Sequence, residues 1–90
     1  MQNDIDKLFL TVTVRNPEKL IFEGKVTAVT SYNTKGIFDV LPYHANFISI
    51  IKDSLVIHEQ QEKTTTITLE QGVMKVFENT VSVFLGIETK

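Results

Sequence analysis

The chain has no cysteine and no tryptophan. Without cysteine there is no disulfide staple and no thiolate-held metal, so packing alone must stabilise the fold. Glycine occurs four times and proline twice. That is too sparse for a glycine-rich phosphate cradle, and neither Gly-x-Gly-x-x-Gly nor a phosphate loop is present. No apolar run approaches the ~20 residues that cross a bilayer as a helix. The opening Met1-Gln2-Asn3-Asp4 is polar and acidic, unlike the basic and then apolar start of a signal peptide. Membrane association is therefore expected only through a partner, without direct insertion. Nine Lys and Arg stand against eleven Asp and Glu, a formal charge of −2. The basic residues are scattered singly, which gives nucleic acid no patch to bind. Ninety residues make one domain, 1–90, burying about 60–65% of the surface its unfolded chain exposes.

What the chain has in abundance is alternation of period two. Leu8, Leu10, Val12 and Val14 alternate with Phe9, Thr11, Thr13 and Arg15. Thr65, Ile67 and Leu69 alternate with Thr64, Thr66 and Thr68, and Val81, Val83 and Leu85 with Thr80, Ser82 and Phe84. Such a pattern sends one set of side chains into a core and the other outward, as in strands with one solvated face. Val, Ile, Thr and Phe supply most of these positions and suit a pleated surface. Further strands are expected at 24–31, 36–41, 47–51, 55–60 and 72–77. Ala45, Ile48, Ile51 and Leu55 also fall at helical spacing, but the density of β-branched residues favours strand.

Turn signals separate these runs: Asn16-Pro17, Asn33-Thr34-Lys35-Gly36, Pro42-Tyr43, Lys52-Asp53-Ser54, Gln71-Gly72 and Glu78-Asn79. Each carries Gly, Pro, Asn or Asp, residues that tolerate or pre-set turn dihedrals. Many short strands at roughly 8–12-residue spacing, with no long helical pattern, predict an all-β flattened sandwich of about ten short, mostly antiparallel strands.

Chemistry has little to work with. Of the two histidines, His58 lies mid-strand on the face opposite Leu55 and Ile57 and reads as a solvated strand histidine. His44 follows Pro42-Tyr43 in a turn. No His-x-x-x-His or comparable ligand spacing points to a metal, and no nucleophile sits in a context such as Gly-x-Ser-x-Gly. No catalytic residue, metal or cofactor is expected; a hydrolase built on His44 and Asp39 is a remote alternative. Several apolar residues do fall on the outward side: Phe84 beside Thr80 and Ser82, and Val29 beside Lys25, Thr27 and Ser31. Ile37 and Tyr43 flank turns. One exposed apolar residue means nothing, but several suggest a protein–protein surface.

The order and spacing of two segments add a resemblance. Asn16-Pro17-Glu18-Lys19-Leu20-Ile21-Phe22-Glu23-Gly24 is followed by Lys35-Gly36-Ile37-Phe38-Asp39-Val40-Leu41-Pro42-Tyr43-His44-Ala45-Asn46-Phe47. Together they resemble, without a gap, the "TPE-x-x-x-F-x-G" and "G-x-F-G-x-L-P-G-H-A-P" segments of the epsilon subunit of the rotary ATP synthase (delta in mitochondria). Phe47-Ile48-Ser49-Ile50-Ile51-Lys52, Gln71-Gly72-Val73-Met74-Lys75-Val76 and Asn79-Thr80-Val81-Ser82-Val83 continue the likeness to Leu85.

The resemblance implies a ten-stranded sandwich serving as a non-catalytic central-stalk subunit. It implies binding to the gamma subunit and the c-ring, and a peripheral position on the cytoplasmic side of the membrane, helping couple proton flow to ATP synthesis. It places a c-ring contact at Thr34, Lys35, Gly36, Ile37 and Phe38, and a gamma contact at Pro42, Tyr43 and His44. Asp39, Tyr43, Asn46 and Gln71 depart from the pattern, Tyr43 most because it replaces a glycine. The sequence stops at Lys90, where the family's C-terminal helical hairpin begins. Its ATP-binding motif is therefore not carried over, no ATP site is expected, and a naturally short subunit and a fragment both remain open. The alternative from another class is a free-standing β-sandwich recognition module for a small molecule or carbohydrate.

Overall fold

The computed structural model describes residues 9–86, so Leu8 and the last four residues lie outside it. Seven strands follow one another: β1 (Leu10–Arg15), β2 (Leu20–Val26), β3 (Ala28–Asn33), β4 (Gly36–Val40), β5 (Phe47–His58), β6 (Thr64–Phe77) and β7 (Thr80–Leu85). A 3-10 turn at Gln60–Glu62 joins β5 to β6. The strands form one hydrogen-bonded sheet in the order β2-β1-β7-β6-β5-β3-β4. Every pairing is antiparallel except β1 with β7.

The strand count differs from the sequence expectation because β5 and β6 are long. Each joins two of the short runs read from the sequence, and their junctions hold two of the turn signals. From Ile51 to Asp53, β5 advances two residues while β6 advances three, from Gly72 back to Leu69. On the other side β3 advances one residue, Ser31 to Tyr32, while β5 moves three, Leu55 to Lys52. Asp53 takes a left-handed φ of 71° there, and such bulges bend the strand that carries them. The inward-facing set on β6 changes parity at the same place, from Thr65, Ile67 and Leu69 to Gly72, Met74 and Val76. Lys52-Asp53-Ser54 and Gln71-Gly72 thus mark bends inside continuous strands.

The bends fold the sheet into two layers. One contains β2, β1, β7, the second half of β6 and the first half of β5. The other contains the first half of β6, the second half of β5, β3 and β4. Val26 on one edge strand and Val40 on the other are fully buried, and both belong to one core cluster with Leu10, Val12, Val14, Met74, Val81 and Val83. A flat sheet would leave such residues wet. Phe38 of β4 meets Phe47 at the start of β5 edge to face, with centroids 5.9 Å apart, and so closes the layers along one side.

Three expectations need correction. The run 24–31 is broken at a bend at Thr27, which separates β2 from β3. Alternation resets there, so Val29 belongs to the core and not to the face shared with Lys25 and Thr27. Ser31 is also fully buried; its hydroxyl donates to the Ser54 carbonyl at 2.7 Å, beside the bulge. His58 ends β5 half-buried: Thr30 Oγ lies 2.8 Å from its Nε2 and donates onward to Asp39 Oδ1 at 2.5 Å. Because that hydroxyl proton goes to Asp39, His58 Nε2–H is the donor to Thr30.

Candidate protein interface

The two segments singled out in the sequence lie at opposite ends of the edge strand β4, about 17 Å apart along an extended chain of its length. At one end, Thr34-Lys35 form a two-residue hairpin between the paired residues Asn33 and Gly36. Asn33 Oδ1 accepts the Lys35 N–H at 2.8 Å, and Gly36 takes φ 119°, which few side-chain-bearing residues tolerate. Ile37 follows, 63% exposed and paired with Tyr32. Phe38 turns the other way, half-buried against the core. Of the five c-ring candidates, Ile37 therefore presents the apolar tip and Phe38 anchors it.

At the other end, Pro42-Tyr43 form a turn closed by the His44 N–H donating to the Leu41 carbonyl at 3.0 Å. Tyr43 has φ 65°, so the departure from glycine does put a bulky side chain in the left-handed region. Asp39 and Asn46 are not at positive φ, and Asn46 has a different role. Its Oδ1 accepts the Glu78 N–H at 3.0 Å, while Asn79 Oδ1 accepts the Tyr43 N–H at 2.8 Å. Two side-chain amides thus tie this turn to the β6–β7 hairpin, whose two-residue loop Glu78-Asn79 has φ values of 50° and 63°, as a tight hairpin loop requires. Asn79 also donates from Nδ2 to the Phe9 carbonyl at 2.8 Å, and its backbone carbonyl accepts the Thr11 N–H at 3.2 Å.

The His44 ring tilts against Phe47 at 5.2 Å, and its Nδ1–H donates to the Ala45 carbonyl at 2.9 Å. The hydrogen bonds of His44 and Asp39 go to different partners, so no hydrogen bond joins them into the constellation a hydrolase would need. Tyr32 sits half-buried in β3. A shallow depression of about 270 Å³ beside the β6–β7 hairpin is lined by Lys75, Phe77, Glu78, Thr80 and Ser82.

Sequence reasoning missed a second apolar surface. Register places Ile50, Val73, Phe84, Arg15 and Leu20 in one row across five strand segments. Ile50 is 59%, Phe84 41% and Leu20 47% exposed. Ile48, on the same face of β5 two residues before Ile50, is also exposed. The signal was available in Phe47-Ile48-Ser49-Ile50-Ile51, a strand whose outward positions, Ile48 and Ile50, are both aliphatic.

A sandwich folded at two bent strands, with apolar tips at both ends of one edge, belongs to a known class. Residues 9–86 match the model of the β-sandwich domain of ATP synthase delta/epsilon chains, and this chain belongs to that family. Relatives include the ATP synthase epsilon chains of Leptospira borgpetersenii, 32% identical, and of a Nitratiruptor species, 37% identical. The matches cover 82% and 78% of this chain but only 58% and 55% of those proteins. The fold recurs in a chain of the Euglena gracilis mitochondrial ATP synthase, determined by cryo-electron microscopy with its c-ring. That chain is 17% identical with a TM-score of 0.81, over 87% of this chain and 51% of that one. A chain from the central stalk and c-ring of the Tetrahymena thermophila mitochondrial enzyme is likewise 17% identical, with a TM-score of 0.70, over 87% of this chain and 63% of that one.

Proposed function

We propose that this domain is a non-catalytic part of the central stalk of a proton-translocating ATP synthase. It grips gamma through Pro42, Tyr43 and His44 and meets the loops of the c-ring through Thr34–Phe38, so that ring rotation reaches the stalk. It works peripherally, on the cytoplasmic side of the membrane. The observation that carries this reading is the placement of two exposed apolar side chains, Ile37 and Tyr43, at opposite ends of one edge strand. A rigid block with a contact at each end can pass torque between two neighbours, and the continuous hydrogen-bonded sheet between the ends makes the block stiff. Membership of the delta/epsilon family supports gamma and the c-ring as those neighbours.

Cysteine cross-linking in a reconstituted synthase tests it. Cysteines at Thr34 and Ile37 are expected to cross-link to the c-ring, and one at His44 to gamma. Failure at both Thr34 and Ile37, with a c-ring cross-link from Glu62 in the 3-10 turn instead, would invert the orientation of the sandwich.

A further inference from the structure

We propose that Tyr43 is an anchor residue for the partner at the Pro42–His44 turn, with Asn79 and Asn46 as its positioning residues. This rests on the reading of that turn as the gamma contact. Five observations converge. Tyr43 adopts φ 65°, a conformation that glycine takes freely and a bulky residue takes only under strain. The residue is nonetheless 61% exposed, and among the described residues its hydroxyl has no hydrogen-bond partner. Within the domain, then, the side chain returns little for the strain it imposes.

The surroundings hold it in that state. Asn79 spends its side-chain oxygen on the Tyr43 N–H at 2.8 Å and its side-chain nitrogen on the Phe9 carbonyl at 2.8 Å. Asn46 locks the same hairpin to the same turn through the Glu78 N–H at 3.0 Å. Both asparagines act on backbone groups, so they fix the direction in which the Tyr43 side chain leaves the turn.

The flanking surface suits an anchor. Leu41 precedes the turn at 55% exposure, and Phe77 leads into the tethered hairpin at 52%. Tyrosine has only two χ angles to immobilise on binding, and buried tyrosines commonly dominate interface energy. The chemistry calls for a slot on gamma with apolar walls for the ring and an acceptor for the hydroxyl.

Strain and binding make opposite demands on Tyr43, which gives the test its discrimination. Purified gamma is titrated with the parent domain and the variants Tyr43→Gly, Tyr43→Phe, Asn79→Ala and His44→Ala, each also melted alone. Tyr43→Gly is expected to melt at the parent temperature or higher, yet bind gamma about tenfold or more weakly. Tyr43→Phe keeps the ring and loses one hydroxyl hydrogen bond, so it should bind about three- to tenfold more weakly than the parent and no more weakly than Tyr43→Gly, and Asn79→Ala should lose both stability and affinity. In the double variant Tyr43→Gly/Asn79→Ala, affinity should fall no further than in Tyr43→Gly, because the two act through one contact. Unchanged affinity in Tyr43→Gly, with weakened binding in His44→Ala, would overturn the anchor and leave the gamma-facing turn standing. Unchanged binding in every folded variant of the turn would overturn both. A lowered melting temperature in Tyr43→Gly would refute the claim of strain.

Discussion

Ile37 and Val83 are both β-branched, yet one should matter to assembly and the other to folding. Val83 is fully buried in β7, between Met74 on β6 and Val14 on β1, both also fully buried. Val83→Ala removes two methyl groups, about 1.5 kcal/mol of transfer free energy. A central strand hydrogen-bonded on both sides cannot shift to fill the space, so a residual cavity brings the cost to about 2–3 kcal/mol. A domain of this length is stable by about 4–13 kcal/mol in all, so the loss is a substantial fraction. Its melting temperature should fall by about 10–20 °C. Ile37, 63% exposed on β4 just after the hairpin turn, leaves no cavity when truncated, and Ile37→Ala should cost about 0.5 kcal/mol or less. Urea titration of both variants, read at unchanged m-value, measures the difference, and co-purification with the synthase measures assembly. Ile37→Ala should fold normally and co-purify poorly. If Ile37→Ala instead unfolds the domain while Val83→Ala shifts the midpoint by less than about 0.5 kcal/mol, the assignment of faces is wrong.

Two further substitutions probe the bends that create the sandwich. A Cβ at Gly72 would lie 3.0 Å from the Phe84 carbonyl oxygen and 3.0 Å from Leu85 Cδ2. Leu85 can swing aside but strand backbone cannot, so Gly72→Ala should destabilise the domain by about 1–2 kcal/mol in chemical denaturation. Ser31→Ala leaves the Ser54 carbonyl beside the bulge without its hydroxyl donor, and should cost about 1–2 kcal/mol. Hydrogen exchange there should show faster opening at Lys52 to Leu55 than at the start of β5; uniform exchange along β5 would mean that Ser31 does not secure the bend.

Much of the fold was legible in the sequence because alternation reports directly which side of a strand is dry. Leu10, Val12, Val14, Val81, Val83 and Leu85 were assigned inward, and all are buried. The turn residues at Asn16-Pro17, Asn33–Gly36, Pro42-Tyr43 and Glu78-Asn79 also lie where the chain reverses, since their dihedral preferences act within a few bonds. The exposed tips Ile37 and Tyr43 were visible for the same local reason.

Tertiary structure decided what local signals cannot carry. A bulge and a hairpin loop draw on the same residues, so Lys52-Asp53-Ser54 and Gln71-Gly72 could not reveal whether the chain stops or bends and continues. That choice depends on hydrogen bonds from β3 and β6 to residues far away in sequence. The burial of Val29 followed from a reset of alternation at Thr27, whose N–H and hydroxyl both donate to the His58 carbonyl, each at 2.8 Å. The clamp on Tyr43 depends on Asn79, thirty-six residues away, and the row from Ile50 to Leu20 on the register of four pairings. Period and turn chemistry are properties of neighbours along the chain. Which strand edge meets which, and hence where the two exposed turns end up, is settled only when the folded sheet closes its core.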